Sequence, residues 1–222
     1  MRGGVIACGV PKSLPVVVLK FGSSVLSPPD GYRRAADMIA GEVAKGYRVV
    51  AVVSAMGGTT DRLLEAARSL TPTPPQALLG QLLATGEDAS VALLDIALTS
   101  AGVNVVSLPT GQFRLETHGS LSDADPIEAD TSILAAALGT HEAVVLPGFV
   151  GRDISGAPSL LGRGGSDLTA LFIADALGAA EVRLVKDVDG VYSQDPKSDG
   201  QAVPISHATW HEVRRIGGGV VQ

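Results

Sequence analysis

Val16-Val17-Val18-Leu19-Lys20-Phe21-Gly22-Ser23-Ser24 is the stretch on which the architecture turns. It begins with four apolar residues in a row, three of them β-branched, which is the composition of a strand covered on both faces. It ends in a lysine, a glycine and two serines. Glycine lets the backbone close up on a ligand, and successive amides beyond a strand end make a nest for an anion. Lys20 stands out for a further reason. The chain has five lysines (Lys12, Lys20, Lys45, Lys186 and Lys197) against twelve arginines.

Similar apolar runs recur at Arg48 to Ser54, Val103 to Leu108, Ala143 to Leu146 and Glu181 to Val185. Helical patterns separate them. From Tyr32 to Lys45, Ala35, Met38, Ile39 and Val43 fall at helical spacing, and Gly46 ends the run. Leu63 to Leu70 follows a Thr/Asp cap, Gln76 to Ala101 reads as a helix broken near Thr85-Gly86-Glu87-Asp88, and Thr131 to Leu138 is another. Helices over 167–177 and from about Ser206 to Ile216 complete the set. Thr71 to Pro75 is a loop, and Gly151 to Pro158 is a hairpin turning at Ser155-Gly156. Gly111 to Asp130 is polar and weakly periodic, a loop with short strands, and Ser122 to Pro126 within it reads as a solvated loop, with a border of the ligand site as the lesser alternative. The alternation predicts an α/β fold, a three-layer α-β-α sandwich around a mostly parallel open sheet. Ligands of such sheets sit beyond the carboxyl ends of the strands. Lys20 to Ser24, Ser54 to Asp61, Pro147 to Phe149 and Lys186 to Asp189 are therefore expected along one edge.

Composition narrows the partners. Hydrophobic residues make up 45% and charged residues 18%, which describes a packed globule. A net charge of −6 without a basic stripe argues against nucleic acid. Cys8 is the only cysteine, which excludes an intramolecular disulfide and suits a reducing cytosol. The apolar run before Cys8 is too short for a signal peptide, and no segment reaches the roughly 20 apolar residues of a membrane span. The cytoplasm is the expected compartment. His207 and His211 lie four apart on a predicted helix without a third ligand, so no protein metal site is expected and Trp210 between them is packing.

Leu161-Gly162-Arg163-Gly164-Gly165-Ser166-Asp167 opens the helix over 167–177. Ser166 or Asp167 suits the N-cap, and a helix start offers amides and a positive dipole end to an anion. Arg163 adds a planar fork for a carboxylate or phosphate. Alone, this could be any anion-binding turn.

Together the segments resemble the amino-acid kinase superfamily, most closely the catalytic region of aspartokinases, from about Val16 onward. Val18 to Ser24 resembles the opening lysine-glycine motif, and Val53-Ser54-Ala55-Met56-Gly57-Gly58-Thr59-Thr60-Asp61 is nearly identical to the second signature. Ala84 to Ser90 resembles the substrate-side glutamate motif, and Gly148-Phe149 with Leu161 to Asp167 the glycine-arginine-glycine block. Asp187 to Tyr192 with Asp195-Pro196 resembles the nucleotide-side block.

The resemblance implies ATP-dependent phosphorylation of a side-chain carboxylate to an acyl phosphate, with aspartate as the first expectation. It implies Lys20 and Asp167 as catalytic residues, the aspartate orienting the lysine. Glu87 would bind the acceptor's ammonium and Arg163 its α-carboxylate, with Ser54, Gly57, Gly58, Gly164 and Ser166 lining that site. Gly22, Ser23, Ser24, Lys186, Asp187, Tyr192 and Asp195, with Lys20, would face ATP, and Mg²⁺ would ride on its phosphates. Residues 1–15 would be a leader, 16–147 an acceptor-binding lobe and 148–222 a nucleotide-binding lobe of one catalytic domain. A homodimer through the amino-terminal half is expected by analogy.

Three features depart from that pattern. Ser23-Ser24 replaces Gly-Thr and is closer to glutamate 5-kinases; Lys186 stands where a threonine is usual; and Gly219 falls where aspartokinases carry a nucleotide-binding lysine. Lys186 is the candidate to replace that charge. The chain stops at Gln222 without the pair of regulatory domains, so feedback inhibition is not expected from this chain alone, and either a separate partner supplies regulation or this is a dedicated enzyme of a side pathway. Glutamate or a modified amino acid as acceptor, or a catalytically weak binding or regulatory subunit, remain the alternatives.

Overall fold

The computed structural model describes residues 14–27, 29–162, 164–187 and 203. In chain order the elements are β1 (Val16–Phe21), α1 (Asp30–Ala44), β2 (Arg48–Val53), α2 (Thr59–Leu70), α3 (Gln76–Ser100), β3 (Val105–Ser107), β4 (Leu115–Ser120) and β5 (Asp123–Ala129). They continue with α4 (Thr131–Thr140), β6 (Ala143–Pro147), β7 (Val150–Arg152), β8 (Pro158–Leu160), α5 (Gly165–Leu177) and β9 (Glu181–Val185). The main sheet has the order β3-β6-β2-β1-β9, and every neighbouring pair is parallel. β9, from the carboxy-terminal part, pairs along β1 from Val17↔Glu181 to Phe21↔Val185.

Strand alternation sorts the core into two layers. Val17, Leu19 and Phe21 of β1, with Val49, Ala51 and Val53 of β2, face α1 and α3, where they meet Ile39, Leu94 and Leu98. Val18, Val50, Val52, Val144 and Leu146 face the other way, against Leu134 and Leu138 of α4 and Ala170 and Ile173 of α5. Each strand is apolar on both faces because each face has a helix layer to cover it. The sandwich expected from the sequence is the observed one.

A second sheet, with the order β5-β4-β7-β8, lies outside that sandwich. It packs Val150 and Leu160 on Leu83 and Ala84 of α3. Here the sequence reading needs correction. Ser122 to Pro126 is not a loop: β5 runs through it, antiparallel to β4. Pro126 pairs with Thr117 where the ladder shifts register, the place a residue without an N–H can occupy.

α3 is also unbroken at Thr85 to Asp88. A Cβ at Gly86 would sit 3.1 Å from Thr59 Cγ2 and 3.3 Å from Ala55 Cβ, so the bare backbone lets the start of α2 pack close. That contact offsets the roughly 1 kcal/mol propensity cost of a mid-helix glycine. Met38, read as core, is 42% exposed, while Ala35 and Ile39 are buried. The expected caps fail as well. α2 and α5 begin after Gly58 (φ 72°) and Gly164 (φ 78°), both left-handed, which leaves Ser166 and Asp167 inside the first turn of α5. The helix read from Ser206 to Ile216, with His207, Trp210 and His211, lies outside the described residues.

Candidate active site

Four strand ends meet as the parallel topology requires. Gly22 donates to Val185 O at 3.2 Å, Ser54 to Phe21 O at 3.1 Å and Gly148 to Val53 O at 2.9 Å. The backbone just beyond β9, β1, β2 and β6 is thus stitched into one rim.

Below that rim lies a buried cluster of charged side chains. Lys20 occupies the even parity of β1 shared with Val18, so it faces the α5 layer rather than α1. Lys186, the first residue beyond β9, continues the alternation of Val182 and Leu184. The first turn of α5 brings Asp167 to both. Lys20 Nζ lies 2.6 Å from Oδ1, a charge pair outside hydrogen-bond alignment, and Lys186 Nζ donates to Oδ2 at 2.6 Å. These side chains are 7%, 8% and 14% exposed for Lys20, Asp167 and Lys186. Burial lowers the Lys20 ammonium below its ordinary value, and the Asp167 charge opposes that. Burial alone would raise Asp167, yet the charge of Lys20 and the bond from Lys186 hold it below the usual carboxylate range. Lys20 is therefore a fixed cation, not a strand-end lysine waving in solvent.

The aspartate reaches the lysines because α5 starts against Gly148. A Cβ there would lie 2.6 Å from Ser166 Cβ and 2.8 Å from its Cα. Gly148→Ala should push α5 away, lowering stability by about 1–3 kcal/mol and loosening the Asp167 contacts. Thermal melting together with turnover checks both.

Glu87, on α3, is 3% exposed. Its Oε2 has no hydrogen-bond partner among the described residues, and the backbone of Ala55 holds the group in place. Burial pushes its pKa up to about 8, against the nearby charge of Lys20. One turn on, Ser90 Oγ and Tyr32 OH lie 2.8 Å apart, closing the site from behind.

The remaining candidates divide. Ser24 Oγ donates to Asp187 Oδ1 at 3.0 Å, which ties the loop after β1 to the segment after β9. Ser23, Ser24 and Gly57 line an open cleft with Leu26, Ser27, Met56 and Arg62. Ser54 is half-buried at the end of β2, Gly58 and Gly164 precede their helices, and Ser166 is buried beneath Gly148. Arg163, Tyr192, Asp195 and Gly219 lie outside the described residues. Sequence reasoning missed Arg62, and it missed Asp88, whose Oδ1 accepts from the Thr110 amide at 2.8 Å. Of these two, only Asp88, inside the glutamate motif, carried a signal. Asp123, in the segment read as a solvated loop or a border of the acceptor site, packs against Gly162.

No helix among the described residues is long and apolar enough to cross a membrane. A family model described as the amino acid kinase family matches residues 15–222. The aspartokinase of Thermus thermophilus is 39% identical over 193 residues, which are 87% of this chain and 48% of that protein. The aspartate kinase of Synechocystis superposes with a TM-score of 0.73 at 29% identity, over 93% of this chain and 34% of that one. Aspartokinase III of E. coli, solved in complex with aspartate and ADP, gives 0.68 at 25% identity, over 86% and 53%. The chain spans about half the length of the curated relatives it matches. A match over residues 15–222 goes beyond a shared fold: this chain belongs to the amino acid kinase family.

Proposed function

We propose that this protein transfers the γ-phosphoryl group of ATP to the side-chain carboxylate of aspartate, forming 4-phosphoaspartate and ADP. The observation that carries the reading is the pairing at one rim of a buried cation, Lys20 on Asp167, with a buried carboxylate oxygen left open, Glu87 Oε2. The relative solved with aspartate and ADP supports both ligands.

In this reading a carboxylate oxygen of the acceptor bonds to the γ-phosphorus, and the bond to the β,γ-bridging oxygen breaks with its electron pair going to ADP. The attacking carboxylate is ionised at neutral pH, so no base is needed. The protein's task is to position the reactants and neutralise charge on the group in flight. Lys20 supplies a cation and the Gly22 to Ser24 amides a nest, while Asp167 orients the lysine. Glu87 takes the acceptor's ammonium and Arg163 its α-carboxylate. Ser54, Gly57, Gly58, Gly164 and Ser166 shape that pocket, within residues 16–147 except for the α5 loop. Asp187, Tyr192 and Asp195 face the nucleotide. No cluster of His, Cys, Asp or Glu able to hold a metal occurs among the described residues, and both oxygens of Asp167 are engaged by lysines. Mg²⁺ would be carried by the ATP phosphates and would neutralise charge on them, as this kinase reading requires. A cytoplasmic homodimer joined through the amino-terminal half completes the reading.

Incubation with Mg-ATP, hydroxylamine and a panel of amino acids tests it. Aspartate should give hydroxamate and ADP in equal amounts. Product with glutamate or a modified amino acid instead would move the acceptor, and no product with any would leave a binding role.

A further inference from the structure

We infer that Lys186 is a second cation on the transferring phosphoryl group, working as a pair with Lys20 across the two oxygens of Asp167. The inference rests on the kinase reading above and reassigns Lys186 from holding the nucleotide to stabilising the reacting centre.

Register carries the first part. Lys20 pairs with Leu184 in the parallel ladder between β1 and β9. Lys186 lies two residues beyond Leu184, so it returns to the same face of the sheet, beside Lys20 and one step nearer the rim. A side chain at 185 or 187 would leave with the opposite parity. The α5 layer therefore meets two lysine stems side by side and offers one carboxylate to both.

The contacts carry the second part. Each ammonium is 2.6 Å from its own oxygen of Asp167. The two cations are thus separated by no more than the width of one carboxylate plus two contacts, close enough that each feels the other's charge. A phosphoryl group offers oxygens at comparable spacing, and in transfer its charge is spread over three of them. An oxygen within reach of Lys20 has a neighbour within reach of Lys186. The α- and β-phosphates lie farther along the donor, away from the shared aspartate.

Preorganisation decides which kinetic constant responds. Asp167 fixes both ammonium groups before any ligand arrives, so little reorganisation is required at the moment of transfer. Interactions realised on the moving group raise kcat rather than tighten the ground-state complex. Lys186 would then be a catalytic residue. A lysine that only held ATP would show itself in KM.

The test uses the full chain and three variants, Lys186→Ala, Lys186→Met and Lys186→Arg. Each keeps the Lys20–Asp167 pair, and circular dichroism establishes that each is folded. Lys186→Ala and Lys186→Met should lower kcat about 10²- to 10³-fold with KM for ATP within about threefold, and Lys186→Arg should recover part of that loss. Affinity for Mg-ADP should stay unchanged, while affinity for Mg-ADP with tetrafluoroaluminate, a mimic of the group in flight, falls by a similar factor. A kcat within threefold of the parent, or equal losses for ADP and ADP-fluoroaluminate, would overturn the assignment. If the parent makes no hydroxamate with any acceptor, the kinase reading fails instead. The ADP against ADP-fluoroaluminate comparison, measured by calorimetry, still decides Lys186.

Discussion

Asp167→Asn should lower kcat about 10³-fold and make what activity remains fall with rising pH. The carboxylate contacts both lysines at 2.6 Å in a space where all three side chains are nearly buried. Asparagine keeps the size but removes the carboxylate charge that both cations share. Burial already depresses Lys20, and Asp167 is the main influence holding it up. Without it the lysine pKa falls further, so Lys20 loses its proton at a lower pH than in the parent. Removing one positioned electrostatic donor costs about 10²- to 10³-fold in other enzymes. Here one change disorders two cations that act as a unit, so the losses do not simply multiply. Breaking a buried ion pair costs several kcal/mol in general, and deprotonation of Lys20 gives the variant an escape. The melting temperature should drop while the fold survives. A kcat–pH profile from 6 to 9 checks the point, with the variant's descent displaced to lower pH than the parent's. Profiles without that displacement would mean that Asp167 does not govern Lys20.

Glu87→Gln should raise KM for the acceptor about 10²-fold while making the protein more stable at alkaline pH. The sign follows from the pKa. Burial lifts Glu87 from its ordinary 4.5 to about 8, so the folded empty protein holds a proton that the unfolded chain releases. The stabilisation linked to that proton is fully present below the unfolded value of about 4.5 and is lost as pH rises through about 8. The decline is at most roughly 1.4 kcal/mol per pH unit over that window. Glutamine can still accept the Ala55 hydrogen bond and carries no proton to lose, so its stability should stay flat there. Denaturant unfolding at pH 5, 6.5 and 8 reads this directly. Function has the opposite sign. An ammonium needs the ionised carboxylate, so acceptor affinity in the parent should rise up to tenfold per unit between pH 6 and 8 and then level off. The variant should lose that rise along with the charge-assisted bond, which is worth about 2–5 kcal/mol when desolvated. A variant whose KM keeps the parent's pH dependence would mean that another group receives the ammonium.

The two layers of the sandwich were legible in the chain because covering both faces of a parallel strand leaves an unmistakable apolar run. Val16 to Leu19 and Ala143 to Leu146 could not be edge strands or surface helices. Lys20, Gly22 and Asp167 were legible for a related reason, since each sits at or near a strand or helix end where the pattern breaks, whereas Glu87, in the middle of α3, was legible only through the motif around it. What local pattern could not supply is what depends on a distant neighbour. Gly86 looked like a helix break because the start of α2, which packs on it, is far away in sequence. Ser122 to Pro126 looked like a loop because its strand partner lies in β4 and its cover in other elements. Ser166 and Asp167 looked like caps, because only the sheet shows that Asp167 has two lysines to meet.

Residue types and their order thus set the sheet, its handed sequence of layers and the rim at which chemistry belongs. The burial that turns Glu87 into a carboxyl titrating near 8, and the parity that sets Lys186 beside Lys20, came only with the tertiary structure. Desolvation and shared ion pairs are sums over neighbours from β1, α3, α5 and β9 at once, and no window of sequence contains them.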